Sequence, residues 1–418
     1  MYFYPTNRFL KLFRRAGIAI LLLFLYWASI HYIAFCPYVY IFGGIAGLLF
    51  YLMTRPGRSE NFKLLLFNLS LIFVVLAGFE DYLGGWYFLG RLNKNIHQEQ
   101  WSGNFYSSEN DIRDSIRGKI PPSDRRFSSR KVVNGMEVFD VIYTTNHQGL
   151  RVSPHDIKPM KFRSDVRDIV CFGCSFVWGQ GVKDNQTMSY LLEDMSDGKY
   201  RTHNLAYIGY GPHQSLRILE TGELSKYVSS DKPLIGVIQV FGDHVNRVSG
   251  NYPSVLYGIG GPQYVLESTG KVKYKGPMDD NANSRWMHKP WFIYLHMSVL
   301  FQRAVESHWL GWETTQADQD LLLAIIAQTR EEFLKKYGDR FIVILWTADY
   351  DPNYNYLYYK LKQSPAEVYT SMEMSRRYGD HHDLYSIPLD GHPSRLAHRR
   401  LAQFILEKLQ KPYQSKRK

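Results

Sequence analysis

The sequence predicts a three-layer α/β/α domain with a parallel central sheet, preceded by three helices that cross a membrane. Two patterns carry this prediction. After residue 167, short continuous apolar runs alternate with segments of helical periodicity, which is typical of a parallel sheet covered on both faces. Within the first 80 residues, three long apolar runs stand close together. The chain of 418 residues, 45% of them hydrophobic, is long enough for one large domain and a further segment.

The N-terminal apolar runs lie at about residues 16–35, 37–53 and 63–79. Each has about the length that crosses a bilayer core, roughly 20 residues, although the second and third are near the short limit. The first run is too long for a signal peptide. Buried core helices of a soluble domain are the alternative interpretation.

Cations flank these runs unevenly. Positively charged segments stay in the cytoplasm, so the distribution predicts a cytoplasmic N-terminus and a multi-pass protein of the inner membrane, with the rest of the chain on the periplasmic side. The cations precede the first run or lie between the second and third: Arg8, Lys11, Arg14, Arg15, Arg55, Arg58 and Lys63. Residues 1–92 are therefore interpreted as a membrane anchor.

The net charge of +11 does not indicate a nucleic-acid partner. No nucleic-acid-binding pattern appears, and much of the charge lies near the membrane and in a basic tail at 411–418. The three cysteines do not make a disulfide framework, and the pair Cys171 and Cys174 has no second pair that would indicate zinc. We predict no metal and no cofactor, and the sequence names no protein partner.

Residues 93–166 are polar and mixed, and we interpret them as a lead-in segment that packs on the main domain. The main domain spans 167–410. An insertion at about 249–312 interrupts its alternation and is a candidate lid over the carboxyl ends of the strands. The predicted strands are 169–172, 203–207, 234–241 and 341–346, and the predicted helices are 185–195, 214–227, 316–336 and 393–409.

Ser175 is the first candidate for chemistry. It follows the first predicted strand of the domain, and ligands of an open parallel sheet bind beyond the carboxyl ends of the strands. A serine becomes a nucleophile only with a base in reach. His392 is the best candidate base, because it closely follows the carboxylate of Asp390, which could orient the imidazole. The alternative interpretation is that residues 390–393 form only a turn and a helix start.

Four segments together resemble the SGNH, or GDSL-like, serine hydrolase family. They are 172–182, which contains Ser175; 204–214, in which Gly209 matches a glycine that supplies an oxyanion-hole N–H; 390–398, which contains His392; and the upstream 146–151, similar to a lead-in of membrane-tethered members. The resemblance covers roughly residues 146–409. It implies a flavodoxin-like three-layer fold and an acyl-enzyme mechanism, with the Ser175 N–H in the oxyanion hole.

The sequence also departs from that family. Cys174 stands where the family has aspartate, and Asp243 stands where an asparagine donates to the oxyanion. An ionised Asp243 would repel an oxyanion, so either His244 or Asn246 donates instead, or burial protonates Asp243. The family's Asp-x-x-His is shortened to Asp390-x-His392, which leaves Asp383 as a reserve candidate for the acid.

These observations predict a membrane-anchored serine esterase or O-acyltransferase with the catalytic residues Ser175, His392 and Asp390. Its expected substrate is an ester of the cell envelope, such as an acylated glycan or a lipid. The alternative prediction is a catalytically weak module of the same fold that binds or assembles envelope polysaccharide, which the altered residues at 243 and 244 motivate.

Overall fold

The computed structural model describes residues 37–95, 99–107, 110, 112–250, 260–278, 314–347 and 353–411. The chain divides into two compact units. The first comprises residues 1–97 and 281–312, and the second comprises 98–280 and 313–418.

The described part of the first unit consists of two apolar helices, α1 (Pro37–Met53) and α2 (Glu60–Asn95). They pack against each other, and Ser70 donates a hydrogen bond to the carbonyl oxygen of Ala46 at 2.8 Å. Among the described residues, one segment is long and apolar enough to cross a membrane, Glu60–Glu80.

The predicted spans therefore have different outcomes. The run at 16–35 lies outside the described residues. The run at 37–53 forms a helix of 17 residues, shorter than the length that marks a spanning helix. The run at 63–79 lies inside the 36-residue helix α2. Of the two predicted runs that the described residues cover, one is thus a spanning candidate.

The second unit is built on a five-stranded sheet with all strands parallel. The strands are β6 (Arg167–Phe172), β7 (Tyr200–Asn204), β8 (Leu234–Val240), β11 (Gly338–Leu345) and β12 (Glu367–Thr370). Their order in the sheet is β12-β11-β8-β6-β7. Numbered along the chain from β6, this is the order 2-1-3-4-5, that of flavodoxin-like folds, and the strand order reverses at β6.

Helices cover both faces of this sheet, because its strands bury apolar side chains on each side in alternation. One face receives α5 (Met188–Asp194), α10 (Ser371–Tyr378) and α11 (Arg395–Leu409). The other receives α6 (Pro212–Glu220), α7 (His244–Ser249), α8 (Gln316–Lys336) and α9 (Tyr354–Gln363). The predicted three-layer α/β/α arrangement with a parallel sheet is confirmed for the described residues.

The segment before β6 adds antiparallel structure to the core. β1 (Glu99–Ser102), β4 (Arg126–Val133) and β5 (Met136–Thr144) form one sheet, and β2 (Ile112–Asp114) pairs with β3 (Gly118–Ile120). β4 turns alternate side chains inward, and Phe127 joins the same apolar core as α5 and α11. A short helix, α3 (Pro154–Ile157), precedes β6.

The predicted insertion is described only in part. β9 (Pro262–Leu266) and β10 (Val272–Pro277) form a hairpin. Tyr264 donates to Glu220 of α6 at 2.6 Å, and the Val272 N–H donates to Gln328 of α8 at 3.1 Å. This hairpin therefore packs on α6 and α8, and the role of the insertion as a lid stays a prediction. Residues 251–259 and 279–313 lie outside the described residues.

Candidate active site

Ser175 lies just beyond the carboxyl end of β6, as the first residue of a single helical turn, α4 (Ser175–Trp178). Gly173 makes the approach possible: its φ is 155°, and a Cβ atom there would lie 2.6 Å from Cγ2 of Val177. Only glycine lets the turn fold back this closely. Because the strand order reverses at β6, Ser175 stands at the position where parallel sheets of this order bind ligands.

Asp390 and His392 lie in a tight loop that precedes α11. The loop is closed by hydrogen bonds from the Ile387 N–H to the His392 carbonyl oxygen at 2.8 Å and from the Gly391 N–H to the Ile387 carbonyl oxygen at 2.9 Å. Leu389 takes the left-handed conformation, with φ of 62°. This compact backbone is what allows an acid and a histidine only two residues apart to contact each other.

His392 connects the carboxylate of Asp390 with the hydroxyl of Ser175. Its Nε2 lies 3.0 Å from Ser175 Oγ, and its Nδ1 lies 2.6 Å from Asp390 Oδ1. The carboxylate fixes the proton on Nδ1, so the Nε2 lone pair faces the hydroxyl. The three groups thus form one hydrogen-bonded chain that can take the serine proton as the oxygen attacks an electrophile.

Asp390 has a second partner, which the sequence interpretation did not include. Lys131 of β4 places Nζ 3.1 Å from Asp390 Oδ2. Burial raises the pKa of Asp390, but the hydrogen bonds and charges of His392 and Lys131 outweigh burial and lower it below its usual value. The carboxylate is therefore ionised at neutral pH, in the state that can stabilise an imidazolium.

The His392 ring also contacts an apolar wall. Phe176, the residue after the serine, lies edge-on to it with ring centroids 5.4 Å apart. Phe176 in turn stacks on Phe241, at 4.6 Å and an angle of 7°. This wall excludes water from one side of the imidazole, which strengthens the hydrogen bonds that the imidazole makes with Asp390 and Ser175.

Two of the predicted oxyanion-hole residues offer backbone donors. The N–H of Ser175, at the first position of α4, has no acceptor within its own helix. Gly209 follows β7 in a buried loop with φ of 78°, and within the described residues its N–H makes no backbone hydrogen bond. Both groups remain candidates to receive a developing negative charge.

Asp243 does not have the buried environment that was expected of a protonated carboxyl. Its side chain is 42% exposed and pairs with Arg247 of α7, whose Nε donates at 2.8 Å. The burial on which that expectation rested is therefore absent. Arg247 also donates to the carbonyl oxygen of Tyr210 at 2.8 Å, which ties the loop of Asp243 to the loop of Gly209.

His244 is completely buried, and its ring packs on Phe241 with centroids 4.5 Å apart. The Phe241 N–H donates to its Nδ1 at 3.4 Å. Burial, together with the charge of Arg247 and the neighbouring His213, holds its pKa well below the usual value. Because Nδ1 accepts the hydrogen bond from Phe241, a neutral ring carries its proton on Nε2, and the role of His244 as an oxyanion donor stays a prediction. The reserve acid Asp383 is 69% exposed and pairs with His381 instead.

Arg151, the last residue of the lead-in segment 146–151, fixes the backbone that follows the serine. It is fully buried and donates to the carbonyl oxygens of Trp178 at 3.1 Å and Val182 at 3.0 Å. Its Nε pairs with Asp184 at 2.6 Å, and its guanidinium lies over the ring of Tyr143 at 4.4 Å. The segment thus acts on the site indirectly, by holding the loop in which the serine turn ends.

Lys131 and Arg151 are the site-related residues whose roles sequence reasoning missed. A signal existed for Lys131. In β4 the inward positions alternate with outward ones, and Lys131 occupies an inward position between Ser129 and Val133. A lysine at an inward position needs a buried anionic partner.

Comparisons with known proteins leave the family of this chain open. No family model matches the sequence, and no curated protein matches it. Solved structures of similar architecture include the three that follow. A lipolytic protein of the G-D-S-L family from Veillonella parvula is 11% identical, with 59% of this chain and 100% of that chain covered, at a TM-score of 0.33.

The other two examples are described as esterases or lipases. A family two carbohydrate esterase from Clostridium thermocellum, solved in complex with cellohexaose, is 11% identical, with 75% of this chain and 84% of that chain covered, at a TM-score of 0.33. The lipase Lip_vut3 from a goat rumen metagenome is 13% identical, with 57% and 96% covered, at 0.30. At these identities and TM-scores, a function for this chain has to be argued from its own site.

Proposed function

We propose that this protein is a serine esterase that forms an acyl-enzyme on Ser175. One observation carries the proposal: the unbroken hydrogen-bonded chain from Ser175 Oγ through the imidazole of His392 to Asp390, with distances of 3.0 and 2.6 Å. Residues 217 positions apart in sequence meet at the strand-order reversal, where this class of sheet binds its ligands. A turn serine without a catalytic role would not need an oriented imidazole.

The proposed reaction proceeds in two steps. Ser175 Oγ attacks the ester carbonyl carbon while His392 Nε2 takes the hydroxyl proton, and Asp390 stabilises the imidazolium. The N–H groups of Ser175 and Gly209 receive the oxyanion. His392 then gives its proton to the leaving alcohol, and the acyl-enzyme remains. A water or a substrate hydroxyl, deprotonated by the same imidazole, next attacks the acyl carbon; the bond to Ser175 Oγ breaks, and His392 returns the proton to Oγ. The second acceptor would make the enzyme an O-acyltransferase.

Membrane attachment is part of the proposal, and it is supported by the surface of α2. Within Glu60–Glu80, 17% of an 18-residue apolar stretch is buried, and large apolar side chains such as Leu64, Leu71 and Val74 are exposed. A helix that leaves so much apolar surface uncovered is suited to lipid. Carbonate extraction of membranes tests this: the full-length chain should stay in the pellet, and recovery in the supernatant would contradict attachment.

The proposed substrate is an ester of the cell envelope, either an acylated glycan or a lipid. Arg55, Arg58 and Lys63 flank the start of α2, and by the positive-inside rule they keep that end in the cytoplasm, so the second unit would be periplasmic. An anchored esterase on that side would meet envelope polymers before other esters.

The test uses the full-length chain purified in detergent, with p-nitrophenyl acetate as substrate. Ser175→Ala should reduce kcat/KM by at least about 10³-fold, because the nucleophile is removed. A fluorophosphonate probe should label the wild type and not this variant. Ser229→Ala, a control at an exposed serine, should match the wild type in both assays.

A catalytically weak polysaccharide-binding module is the second candidate. The carboxyl of Asp243, paired with Arg247 where the resembled family has an amide donor, is the observation that favours it. Equal hydrolysis rates for the wild type and Ser175→Ala, with no probe labelling of either, would contradict the esterase and favour this second candidate.

A further inference from the structure

Lys131 is a buried cation that contacts the acid of the candidate triad from a different part of the chain. It is 4% exposed, and its ammonium lies 3.1 Å from Asp390 Oδ2. The Asp390 side chain is itself only 2% exposed. Burying a cation is costly unless an anion faces it, so the pair is held together strongly. The two carboxylate oxygens are thereby divided: Oδ1 accepts from His392 and Oδ2 from Lys131.

The strand β1 holds Lys131 in this position. Trp101 of β1 is the register partner of Lys131 on β4, and its ring lies 4.7 Å from the ammonium. Glu99, two residues earlier and therefore on the same face of β1, has a carboxylate oxygen 3.4 Å from the ammonium. Glu99 is 48% exposed, so its carboxylate is the weaker of the two partners of Lys131.

We propose that Lys131 is a positioning residue that tunes the general base: it anchors Asp390 through Oδ2 and neutralises part of its charge, so that His392 loses its proton at a lower pH than it would beside a free carboxylate. The inference rests on the proposed function. It concerns the acidity of the imidazole, which a merely structural lysine would not change in this direction.

The direction in which Lys131 changes the basicity of His392 follows from the charges around the triad. The cation opposes the field of Asp390 at His392, so removing it strengthens the stabilisation of the imidazolium and raises the pH at which His392 becomes a base. Other titratable groups act on the triad as well, and each stays in place when Lys131 is replaced: Tyr106 and Tyr143 act on Asp390, and His398 acts on His392. Glu99 acts on Lys131 itself.

The test is the pH dependence of kcat/KM for p-nitrophenyl acetate, measured on the full-length chain in detergent from pH 5 to 8. Lys131→Met should move the acid limb upward by about half to one pH unit. Lys131→Arg keeps the charge, so its acid limb should stay within about 0.2 pH unit of the wild type even if kcat falls.

A matched control separates this effect from net charge. Arg130 is the neighbouring cation on β4, 48% exposed and paired with Glu137 on the outward face. Arg130→Met removes one positive charge from the same strand and should leave the acid limb unchanged. An equal shift in Arg130→Met and Lys131→Met would overturn the proposal, as would an acid limb of Lys131→Met that stays in place or moves downward.

Two further measurements keep the proposal testable. If Lys131→Met does not fold, Glu99→Gln gives the opposite sign: without this competing carboxylate, more of the ammonium charge acts on Asp390, and the acid limb should move downward. A wild type without esterase activity would contradict the proposed function alone. In that case the titration of the His392 ring is followed by NMR, with the signal assigned by its loss in His392→Gln. The ring should still titrate at higher pH in Lys131→Met than in the wild type. An unchanged titration would overturn the role of Lys131.

Discussion

Replacing Asp390 by asparagine tests both contacts of its carboxylate at once, the one with His392 and the one with Lys131. The carboxylate accepts from His392 Nδ1 at 2.6 Å in a buried position. An asparagine amide can donate to Nδ1 through its NH₂ group, which moves the imidazole proton to Nε2 and leaves no lone pair toward Ser175. We expect kcat/KM to fall by about 10³ to 10⁴, which corresponds to about 4 to 5.5 kcal/mol of transition-state stabilisation.

The same substitution leaves Lys131 without its buried counter-charge. Glu99 remains 3.4 Å away, so the loss is smaller than for a fully orphaned cation, and we expect destabilisation by about 1 to 3 kcal/mol. Adding Lys131→Met should restore most of the unfolding free energy without restoring activity. Thermal unfolding and p-nitrophenyl acetate hydrolysis of the full-length variants in detergent separate the two effects.

Asp383→Asn is the matched control for this prediction. Asp383 lies in the same C-terminal region, is exposed, and pairs with His381 away from the triad. It should change neither activity nor stability measurably. An Asp390→Asn variant that keeps more than a tenth of the wild-type activity would refute the reasoning, and so would a greater loss in Asp383→Asn.

Two other predictions concern stability. Gly173→Ala should destabilise the fold by about 1 to 3 kcal/mol, because its φ is 155° and the new methyl group meets Val177, and the added change Val177→Ala should recover part of this loss in thermal unfolding. Burial lowers the pKa of both His213 and His398 to about 3, so the unfolded chain binds more protons below its histidine pKa of about 6.5. The unfolding free energy should therefore fall as the pH drops from about 6.5 to about 3, by up to about 1.4 kcal/mol per pH unit for each histidine. A His213→Phe variant with the same slope as the wild type would contradict this.

Much of the parallel sheet was predictable, because its strands are buried on both faces. Continuous apolar runs indicated β8 and β11 to within two or three residues at each end. The strand β7 begins earlier than predicted, at Tyr200, because it lies at an edge of the sheet and its first residues are half-buried and polar. The other edge strand, β12, was not predicted at all: it has only four residues, too few for a periodic signal.

The residues of the candidate triad could be selected from residue order and from the resemblance. The distances between their side chains could not be predicted. The spacing of Asp390 and His392 left the acid uncertain, and only the closed loop with Leu389 in the left-handed conformation explains how two residues so close can meet. Sequence also left the state of Asp243 open, because its pairing with Arg247 depends on a helix that begins at His244.

Through Lys131 on β4, the chain that precedes the α/β core contributes a side chain to the candidate site of that core. An engineer who trims this protein to its five parallel strands, starting at β6, would retain all three candidate catalytic side chains and yet remove the cation that accompanies the acid. The smallest transplantable unit therefore has to include β4 together with β1, whose tryptophan and glutamate flank that cation. A graft of only the parallel sheet and its helices would transfer Ser175, His392 and Asp390. It would leave behind Lys131, the cation proposed to tune their acid–base behaviour.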